Sequence, residues 1–266
     1  MMRVVICGAG GRMGRENVAV FHRAGDTAVS AAVERSGCPL IGQDAGTVAG
    51  IGAIDVPITD DLGGALPGAE VLIDFTSPGS TVHIVREAAA AGVGCVIGTT
   101  GLDQDQVAAV RDLSRKIPVL VSPNMSRGVN TLFYLVKRAA QLLGDDYDAE
   151  IVEIHHNQKK DAPSGTAVQF GRIIAEAGKR SFEQSAVFGR HGQGLRKKGE
   201  IGIMALRAAD VIGEHTIILA GPGERIELSH KNSSRKTYAN GALQAARFIR
   251  HKKNGLFSME DVLGLS

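Results

Sequence analysis

The sequence predicts an α/β protein in two parts: a doubly wound parallel sheet, and an α+β domain with a mixed, open sheet. Through the first half of the chain, apolar runs alternate with helical segments, which is typical of parallel strands wound by helices. After Asn124 this pattern changes, and the last two strand candidates are joined by a Gly221-Pro-Gly223 turn, which indicates antiparallel pairing. We therefore predict one domain from residues 1–126 and 236–266, and a second from 127–235.

The chain opens with an apolar strand, Met2–Cys7, followed at once by a glycine-rich turn and a helix through Val18 and Phe21. This order is the Rossmann-type arrangement for binding a dinucleotide. The glycines permit a tight turn, the approach of a pyrophosphate to the backbone, and close packing of the helix on the sheet. We expect Gly8 to form the tight turn, and Gly10 or Gly11 to be where the backbone approaches the pyrophosphate.

The second strand, Thr27–Val33, ends in Glu34 and Arg35, about twenty residues beyond the glycine turn. An acidic residue at this point accepts hydrogen bonds from the adenosine ribose and favours NADH. An arginine beside it can pair with a 2′-phosphate and favours NADPH. The two signals conflict, so the sequence predicts NADH, NADPH or both as coenzyme.

Three further strand predictions begin at Val71, Gly94 and Pro118, with helices near residues 80–91 and 103–115 between them. In such a sheet, ligands bind beyond the carboxyl ends of the strands. The polar segments at two of these ends are candidates for contact with the nicotinamide half of the coenzyme, although ordinary turn chemistry explains them equally well. They comprise Gly98, Thr99 and Thr100, and Ser122, Pro123, Asn124 and Met125.

The most informative segment runs from Glu150 to Ala167 and predicts a strand, a loop and a helix. Ser164 is a good N-cap, and a helix start attracts anions, so Gly165 and Thr166 are predicted to hold a carboxylate. Two histidines and a lysine, His155, His156 and Lys159, surround this position. We interpret the constellation as a substrate site.

Two simpler interpretations compete with a substrate site. The histidine pair could bind a metal ion, but neighbouring strand residues point to opposite faces and no third ligand stands at a familiar spacing. The lysines could lie on a solvated loop and the histidines could be ordinary half-buried residues. We predict no metal.

The remainder of the second part is predicted as a helix over 128–143, a polar and mobile loop over 178–200, and three strands. These strands cover Ile201–Arg207, Gly213–Ala220 and Arg225–His230, and a helix near 240–251 follows. A sheet of this kind exposes an edge or face that can join subunits.

Composition excludes several classes of protein. The 266 residues carry a net charge of +2 and no tryptophan, which gives no case for nucleic acid as a partner. No apolar run approaches the length of a membrane span, and the first strand leaves no room for a signal peptide. Three widely spaced cysteines suit reduced thiols. We expect a cytoplasmic enzyme.

The segment from Glu153 to Ala167 closely resembles the signature of the bacterial dihydrodipicolinate (4-hydroxy-tetrahydrodipicolinate) reductase family. Further landmarks agree in order: the glycine turn, Gly98–Gly101, Ser122–Ser126, Gly199–Gly202, Gly213–Thr216 and Ser229–Gly241. The resemblance implies NAD(P)H-dependent reduction of a cyclic dicarboxylate in the diaminopimelate–lysine pathway, by a homotetramer built through the second domain.

By the same resemblance, His155 is expected to be a proton donor or acceptor and Lys159 the proton donor to the reduced ring, while His156, Gly165 and Thr166 bind substrate. The resemblance also implies that the whole glycine turn contacts the coenzyme: Gly8, Ala9, Gly10, Gly11, Arg12 and Met13. Two rival functions remain open. A dinucleotide sensor would not need Lys159 beside an anion site. A semialdehyde dehydrogenase would need a nucleophilic cysteine, and neither Cys7 nor Cys95, within strands, nor Cys38, in a loop, is well placed.

Overall fold

The computed structural model describes residues 1–265, and the final residue of the predicted first domain, Ser266, lies outside them. The chain divides into two compact units. Unit 1 comprises residues 1–127 and 235–265, and unit 2 comprises residues 128–234. The functions that we assign to each domain remain predictions.

Unit 1 contains a seven-stranded sheet in the order β12-β6-β5-β4-β1-β2-β3, in which every pairing is parallel. The strand order reverses between β1 and β4, which is where open α/β sheets bind ligands. The strands are β1 Met2–Cys7, β2 Thr27–Val33, β3 Ile58–Thr59, β4 Val71–Asp74, β5 Gly94–Ile97, β6 Pro118–Val121 and β12 Gly255–Phe257.

Helices cover both faces of this sheet, so the central strands are buried and consist of continuous apolar runs. One core cluster includes α1 and α9, and the other includes α4 and α5. The helices of unit 1 are α1 Arg12–Arg23, α2 Ala45–Val48, α3 Leu62–Ala65, α4 Pro78–Ala91, α5 Gln104–Leu113, α9 Lys236–Ile249 and α10 Met259–Leu263.

Unit 2 contains a five-stranded sheet in the order β11-β10-β7-β9-β8. It is mixed: β10 is antiparallel to β7 and β11, whereas β7, β9 and β8 are parallel. One face packs against α6 and α7 in a single core cluster. The elements are α6 Arg127–Leu143, a 3-10 turn at Gly144–Asp146, β7 Asp148–His155, α7 Gly165–Ala177, α8 Phe182–Ser185, β8 Ala186–Phe188, β9 Ile201–Arg207, β10 Gly213–Gly221 and β11 Glu224–Asn232.

The predicted fold class is confirmed, but several local predictions are wrong. The loop over 178–200 contains a helical turn, α8, and an edge strand, β8. Its remainder is tied to the sheet by Arg190 and Arg196, which both pair with Glu150. The last long helix begins at Lys236, one turn before the predicted start. The strand β12 and the helix α10 were not predicted from the sequence.

Candidate active site

The glycine turn of unit 1 has the backbone geometry of a dinucleotide cradle. Gly8 adopts a left-handed conformation with φ +71°, which strongly favours glycine. A Cβ at Gly14 would lie 1.9 Å from the carbonyl oxygen of Gly8, so α1 rests directly on the turn. Gly11 is the N-cap of α1 and provides no side-chain cap. The first N–H groups of α1 are therefore available to a pyrophosphate.

A cavity of about 580 Å³ lies beside this turn, where the strand order reverses. Its walls include Gly8, Gly11, Glu34 and Arg35, which were all predicted to contact a dinucleotide. The residues present thus fit such a coenzyme. The wall that follows β4 was not predicted, although the position of β4 next to β1 is a signal that could have revealed it. This wall consists of Phe75, Thr76, Ser77, Ser80 and His83.

The two residues that follow β2 are held differently. The Glu34 carboxylate accepts hydrogen bonds from the backbone N–H of Gly10 at 2.8 Å and of Arg35 at 3.2 Å, which fix it beside the turn. The Arg35 side chain is exposed and forms no ion pair with any residue within 1–265. An anionic group that enters the cavity can therefore pair with Arg35.

The other predicted coenzyme residues of unit 1 differ in accessibility. Gly98 is required by packing, because a Cβ there would lie 2.2 Å from the Phe75 ring. Thr99 is buried and accepts a hydrogen bond from the Thr76 backbone. Met125 is 1% exposed and its side chain packs in the core, so only its backbone is suited to contact a ligand. Of the remaining residues, Ala9 and Ser122 are buried, Gly10, Met13 and Asn124 are half-buried, and Arg12, Thr100 and Pro123 are exposed.

In unit 2, the predicted catalytic histidine lies on the helix-covered face of the sheet. His155 follows Glu153 by two residues on β7, so both side chains point to this face and both are buried. Strand register places Arg207 beside His155, and His215 and His230 in a row with Glu153. Arg207 and His215 were not predicted, because no local pattern reveals how β7 pairs with β9 and β10. His230, which the β10–β11 hairpin brings beside His215, was missed as well.

The Glu153 carboxylate has a donor on every side. It accepts hydrogen bonds from His155 Nδ1 at 2.5 Å, from the Arg207 guanidinium at 3.0 and 3.1 Å, and from the Ser164 backbone at 2.9 Å. Burial opposes its ionisation, but these hydrogen bonds prevail and hold the pKa of Glu153 at about 2. The carboxylate is ionised at neutral pH.

Lys159 lies on the loop between β7 and α7 and is mostly covered, with 22% of its side chain exposed. Its ammonium pairs with Asp161 Oδ1 at 2.9 Å, and the carbonyl oxygen of Asp161 accepts a hydrogen bond from Arg207. Lys159 is thus linked through Asp161 to the residue that also holds Glu153. His156 follows β7 directly and is half-buried, whereas His155 is buried.

The start of α7 is formed as predicted. Ser164 caps the helix by accepting a hydrogen bond from the Ala167 N–H at 3.1 Å, and it contacts His215 Nε2 at 3.0 Å. Gly165 is exposed, and a Cβ added there would meet no atom within 4 Å. Packing in unit 2 therefore does not require a glycine, and the surrounding space is open to a ligand.

Burial in the histidine row favours the neutral form of His215. Burial, and then the neighbouring His155, lower the pKa of His215 to about 3. The charge of Lys159 contributes in the same direction, which places that ammonium within electrostatic range of the row. Burial also lowers the pKa of His230. Within residues 1–265, no three histidine, cysteine or acidic side chains are grouped to hold a metal ion.

Comparison with known proteins identifies the family of this chain. The model for the N-terminus of dihydrodipicolinate reductase matches residues 2–125, and the model for its C-terminus matches residues 128–263. The chain belongs to the dihydrodipicolinate reductase family. The resemblance predicted from the Glu153–Ala167 segment is therefore confirmed.

Similar reductases match over the whole chain. The 4-hydroxy-tetrahydrodipicolinate reductase of Anaeromyxobacter dehalogenans is 50% identical over 100% of this chain and 98% of its own length. That of Geobacter sulfurreducens is 46% identical over both full lengths. The solved structure of a dipicolinate-bound dihydrodipicolinate reductase from Paenisporosarcina sp. TG-14 aligns with a TM-score of 0.77 at 25% identity, covering 97% of each chain.

Membership of the reductase family confirms the predicted class of enzyme. The chain is an oxidoreductase that uses NADH or NADPH, with a role in lysine biosynthesis. Burial also raises the pKa of Cys7 and of Cys95, so neither thiol suits the nucleophile that the rival interpretation as a semialdehyde dehydrogenase requires. Each helix within residues 1–265 is too short or too polar to cross a membrane.

Proposed function

We propose that the carboxyl end of β7 and the start of α7 bind the cyclic dicarboxylate 4-hydroxy-tetrahydrodipicolinate and protonate it during reduction to tetrahydrodipicolinate. The observation that carries this proposal is the grouping of an imidazole, an ammonium and an open helix start within unit 2. His155, Lys159 and the Ser164 cap that precedes Gly165 are connected to one another through the contacts of Glu153, Arg207 and Asp161.

The start of α7 binds one substrate carboxylate in this proposal. The helix N-terminus carries partial positive charge, and the backbone around Gly165 is exposed. Thr166 adds a hydroxyl in the next position. His156 and the ammonium of Lys159 supply further donors for the diacid. Two carboxylates held at separate points orient the ring, which favours reaction at one carbon.

In this proposal, Lys159 and His155 carry out proton transfer. Loss of water from 4-hydroxy-tetrahydrodipicolinate gives a conjugated imine ring, dihydrodipicolinate. Hydride addition at C4 of this ring leaves an electron-rich enamine that must take up one proton. A lysine ammonium near the ring stabilises negative charge and donates that proton. Asp161 keeps Lys159 in place, and Glu153 leaves the second ring nitrogen of His155 available for exchange of the proton.

The coenzyme residues proposed for unit 1 follow from the cavity and the glycine turn. When bound, NADH or NADPH supplies the hydride. The backbone from Gly8 to Met13 would hold the pyrophosphate, and Glu34 and Arg35 would contact the adenosine ribose or its 2′-phosphate. The segments Gly98–Thr100 and Ser122–Met125 are assigned to the nicotinamide half, with Met125 acting through its backbone.

A homotetramer assembled through the sheet of unit 2 is also part of this proposal. Strand register places apolar side chains on the face opposite α6 and α7: Val152, Ile154, Met204, Leu206 and Ile218. Leu206 is 45% exposed and the other four side chains are half-buried, and a group of accessible apolar side chains is typical of an interface between subunits. Sedimentation equilibrium that found only monomer would contradict it. We also propose a cytoplasmic location, which the unpaired cysteines favour.

Replacement of Lys159 tests the assigned chemistry. Lys159→Ala should lower turnover by roughly 10²–10⁴-fold, the effect of losing a general acid. NADH affinity should change little, because the proposed coenzyme residues belong to unit 1. Turnover is measured with the condensation product of pyruvate and aspartate semialdehyde as substrate, and NADH affinity by fluorescence titration. Lys160→Ala is the matched control, because Lys160 is exposed on the same loop and has no assigned role.

Two outcomes contradict the assignment. One is normal turnover in Lys159→Ala. The other is a large loss of NADH binding together with normal turnover of bound substrate. A wild-type protein that binds NADH but does not oxidise it with this substrate would instead favour the dinucleotide-sensor interpretation.

A further inference from the structure

The hydrogen bonds around Glu153 determine which ring nitrogen of His155 carries a proton. Arg207 and the Ser164 backbone N–H can only donate, so both oxygens of Glu153 act as acceptors. His155 Nδ1 contacts Oε2 at 2.5 Å and must then donate to it. In its neutral form, His155 consequently has the hydrogen on Nδ1 and a lone pair on Nε2.

The opposite side of the His155 ring depends on a glycine. A Cβ at Gly213 would lie 2.9 Å from His155 Nε2 and 3.2 Å from Cδ2. Register places Gly213 opposite Asn232 at the start of β10, so this close approach is fixed by the sheet. The absence of a side chain there allows the ring to lie in the plane that directs Nδ1 toward Glu153.

Arg207 connects this imidazole with the lysine loop. Its Nη1 and Nη2 atoms bond the two carboxylate oxygens of Glu153 as a fork, and Nη2 also donates to the carbonyl oxygen of Asp161 at 2.5 Å. The carboxylate of Asp161 holds the Lys159 ammonium at 2.9 Å. A lysine at position 207 could not make these contacts together, because it lacks the planar fork.

We propose that Glu153 and Arg207 are the positioning residues of the reductase: Glu153 fixes His155 in the Nδ1–H tautomer with a lone pair on Nε2, and Arg207 anchors Glu153 and the Lys159 loop to each other. This inference rests on the roles proposed above for His155 and Lys159. Neither positioning residue needs to touch substrate, since each acts through the group that it holds.

Glu153→Gln gives a sharp test, because the amide must face two donors wherever its NH2 group lies. At the Oε1 position it would oppose Arg207 and the Ser164 N–H, which cannot become acceptors. At the Oε2 position it would oppose Arg207 and His155, and an imidazole can accept by moving its proton to Nε2. We therefore expect Glu153→Gln to convert His155 to the Nε2–H tautomer.

The tautomer is read from the imidazole ¹⁵N shifts of the full-length, histidine-labelled protein at a pH where the ring is neutral. The His155 signal is identified by its loss in His155→Asn. Wild type should show Nδ1–H and Glu153→Gln should show Nε2–H, with kcat lower by roughly 10²-fold or more, as for other wrongly protonated catalytic histidines. NADH affinity should stay unchanged. Glu150→Gln is the matched control, since this ion-paired carboxylate lies on the same strand but on the opposite face.

Arg207→Lys supplies a second variant that keeps the charge. It should retain the Nδ1–H tautomer but lower kcat by roughly tenfold or more, because the Lys159 loop loses its anchor at Asp161. The inference is overturned by an Nε2–H tautomer in wild type, by an unchanged tautomer in folded Glu153→Gln, or by normal kcat in Arg207→Lys. If Glu153→Gln does not fold, the inference is tested by the tautomer of His155 in wild type and by the kcat of Arg207→Lys. Failure of the proposed function is distinguished by a wild type that has the Nδ1–H tautomer but no reductase activity.

Discussion

The contact between Gly14 and the glycine turn gives a prediction whose size follows from the structure. In Gly14→Ala, the added Cβ would lie 1.9 Å from the Gly8 carbonyl oxygen and 2.7 Å from the Ala9 Cα. Ordinary contacts of a Cβ begin near 3.4 Å, so helix and turn must separate by about 1.5 Å. Both neighbours are backbone atoms, and neither can rotate away.

Two energies oppose each other in this variant. Overpacking of this kind costs about 1–3 kcal/mol. Alanine inside a helix is more favourable than glycine by about 1 kcal/mol. The expected net effect on the free energy of unfolding is a loss of up to about 2 kcal/mol. Displacement of the first N–H groups of α1 should also weaken NADH binding by roughly 10- to 100-fold, since charge-assisted hydrogen bonds contribute about 1.5–3 kcal/mol each.

Urea unfolding and fluorescence titration with NADH measure these two effects. Gly79→Ala is the control for stability, because Gly79 lies in the first turn of α4 and a Cβ there meets no atom within 4 Å. It should stabilise the protein by up to about 1 kcal/mol. The reasoning is refuted if Gly14→Ala binds NADH as tightly as wild type and unfolds at the same urea concentration.

Three further predictions concern the coenzyme, the substrate carboxylate and acid stability. Arg35→Ala should raise the KM for NADPH by about tenfold or more and leave the KM for NADH within about twofold, because only NADPH has a 2′-phosphate. Equal effects on the two KM values in steady-state assays would contradict this role of Arg35. Gly165→Ala should fold normally, since its Cβ enters open space, but raise the KM for the dicarboxylate by about tenfold; an unchanged KM would exclude carboxylate binding at this helix start. The pKa of Glu153 is lower in the folded protein than in the unfolded chain, where it is about 4.5. Ionised Glu153 therefore stabilises the fold fully above about pH 4.5, and this stabilisation is lost as pH falls toward about 2. Wild type should therefore lose about 3 kcal/mol of its unfolding free energy relative to Glu153→Gln between about pH 5 and pH 2, and parallel pH profiles in denaturant titrations would contradict this.

Local sequence patterns were sufficient to predict the limits of elements whose stability depends on burial of their own side chains. The strand Thr27–Val33 and the strand Ile201–Arg207 have the predicted limits, because apolar runs ending in charged or glycine-containing turns leave little freedom in where a buried strand stops. The Ser164 cap was also predictable, since a serine hydroxyl satisfies the helix N–H groups three residues ahead.

Elements that depend on pairing with distant residues were not predictable in this way. Gly255–Phe257 is a three-residue strand that exists because it pairs with β6, more than a hundred residues earlier in the chain. The edge strand Ala186–Phe188 similarly depends on β9. Short segments of this kind have no periodicity of their own, so only the sheet that receives them determines their conformation.

The sequence by itself determined the two-part α/β fold, the glycine turn for a dinucleotide, and the family signature that contains His155 and Lys159. Only the tertiary structure decided what surrounds these residues. Arg207, His215 and His230 come from separate strands, and register across the sheet brings them to the face that holds His155 and Glu153. The β10–β11 hairpin is local, but the pairings of β7 with β9 and β10 join strands far apart in the chain, and these pairings leave no local trace in composition or spacing.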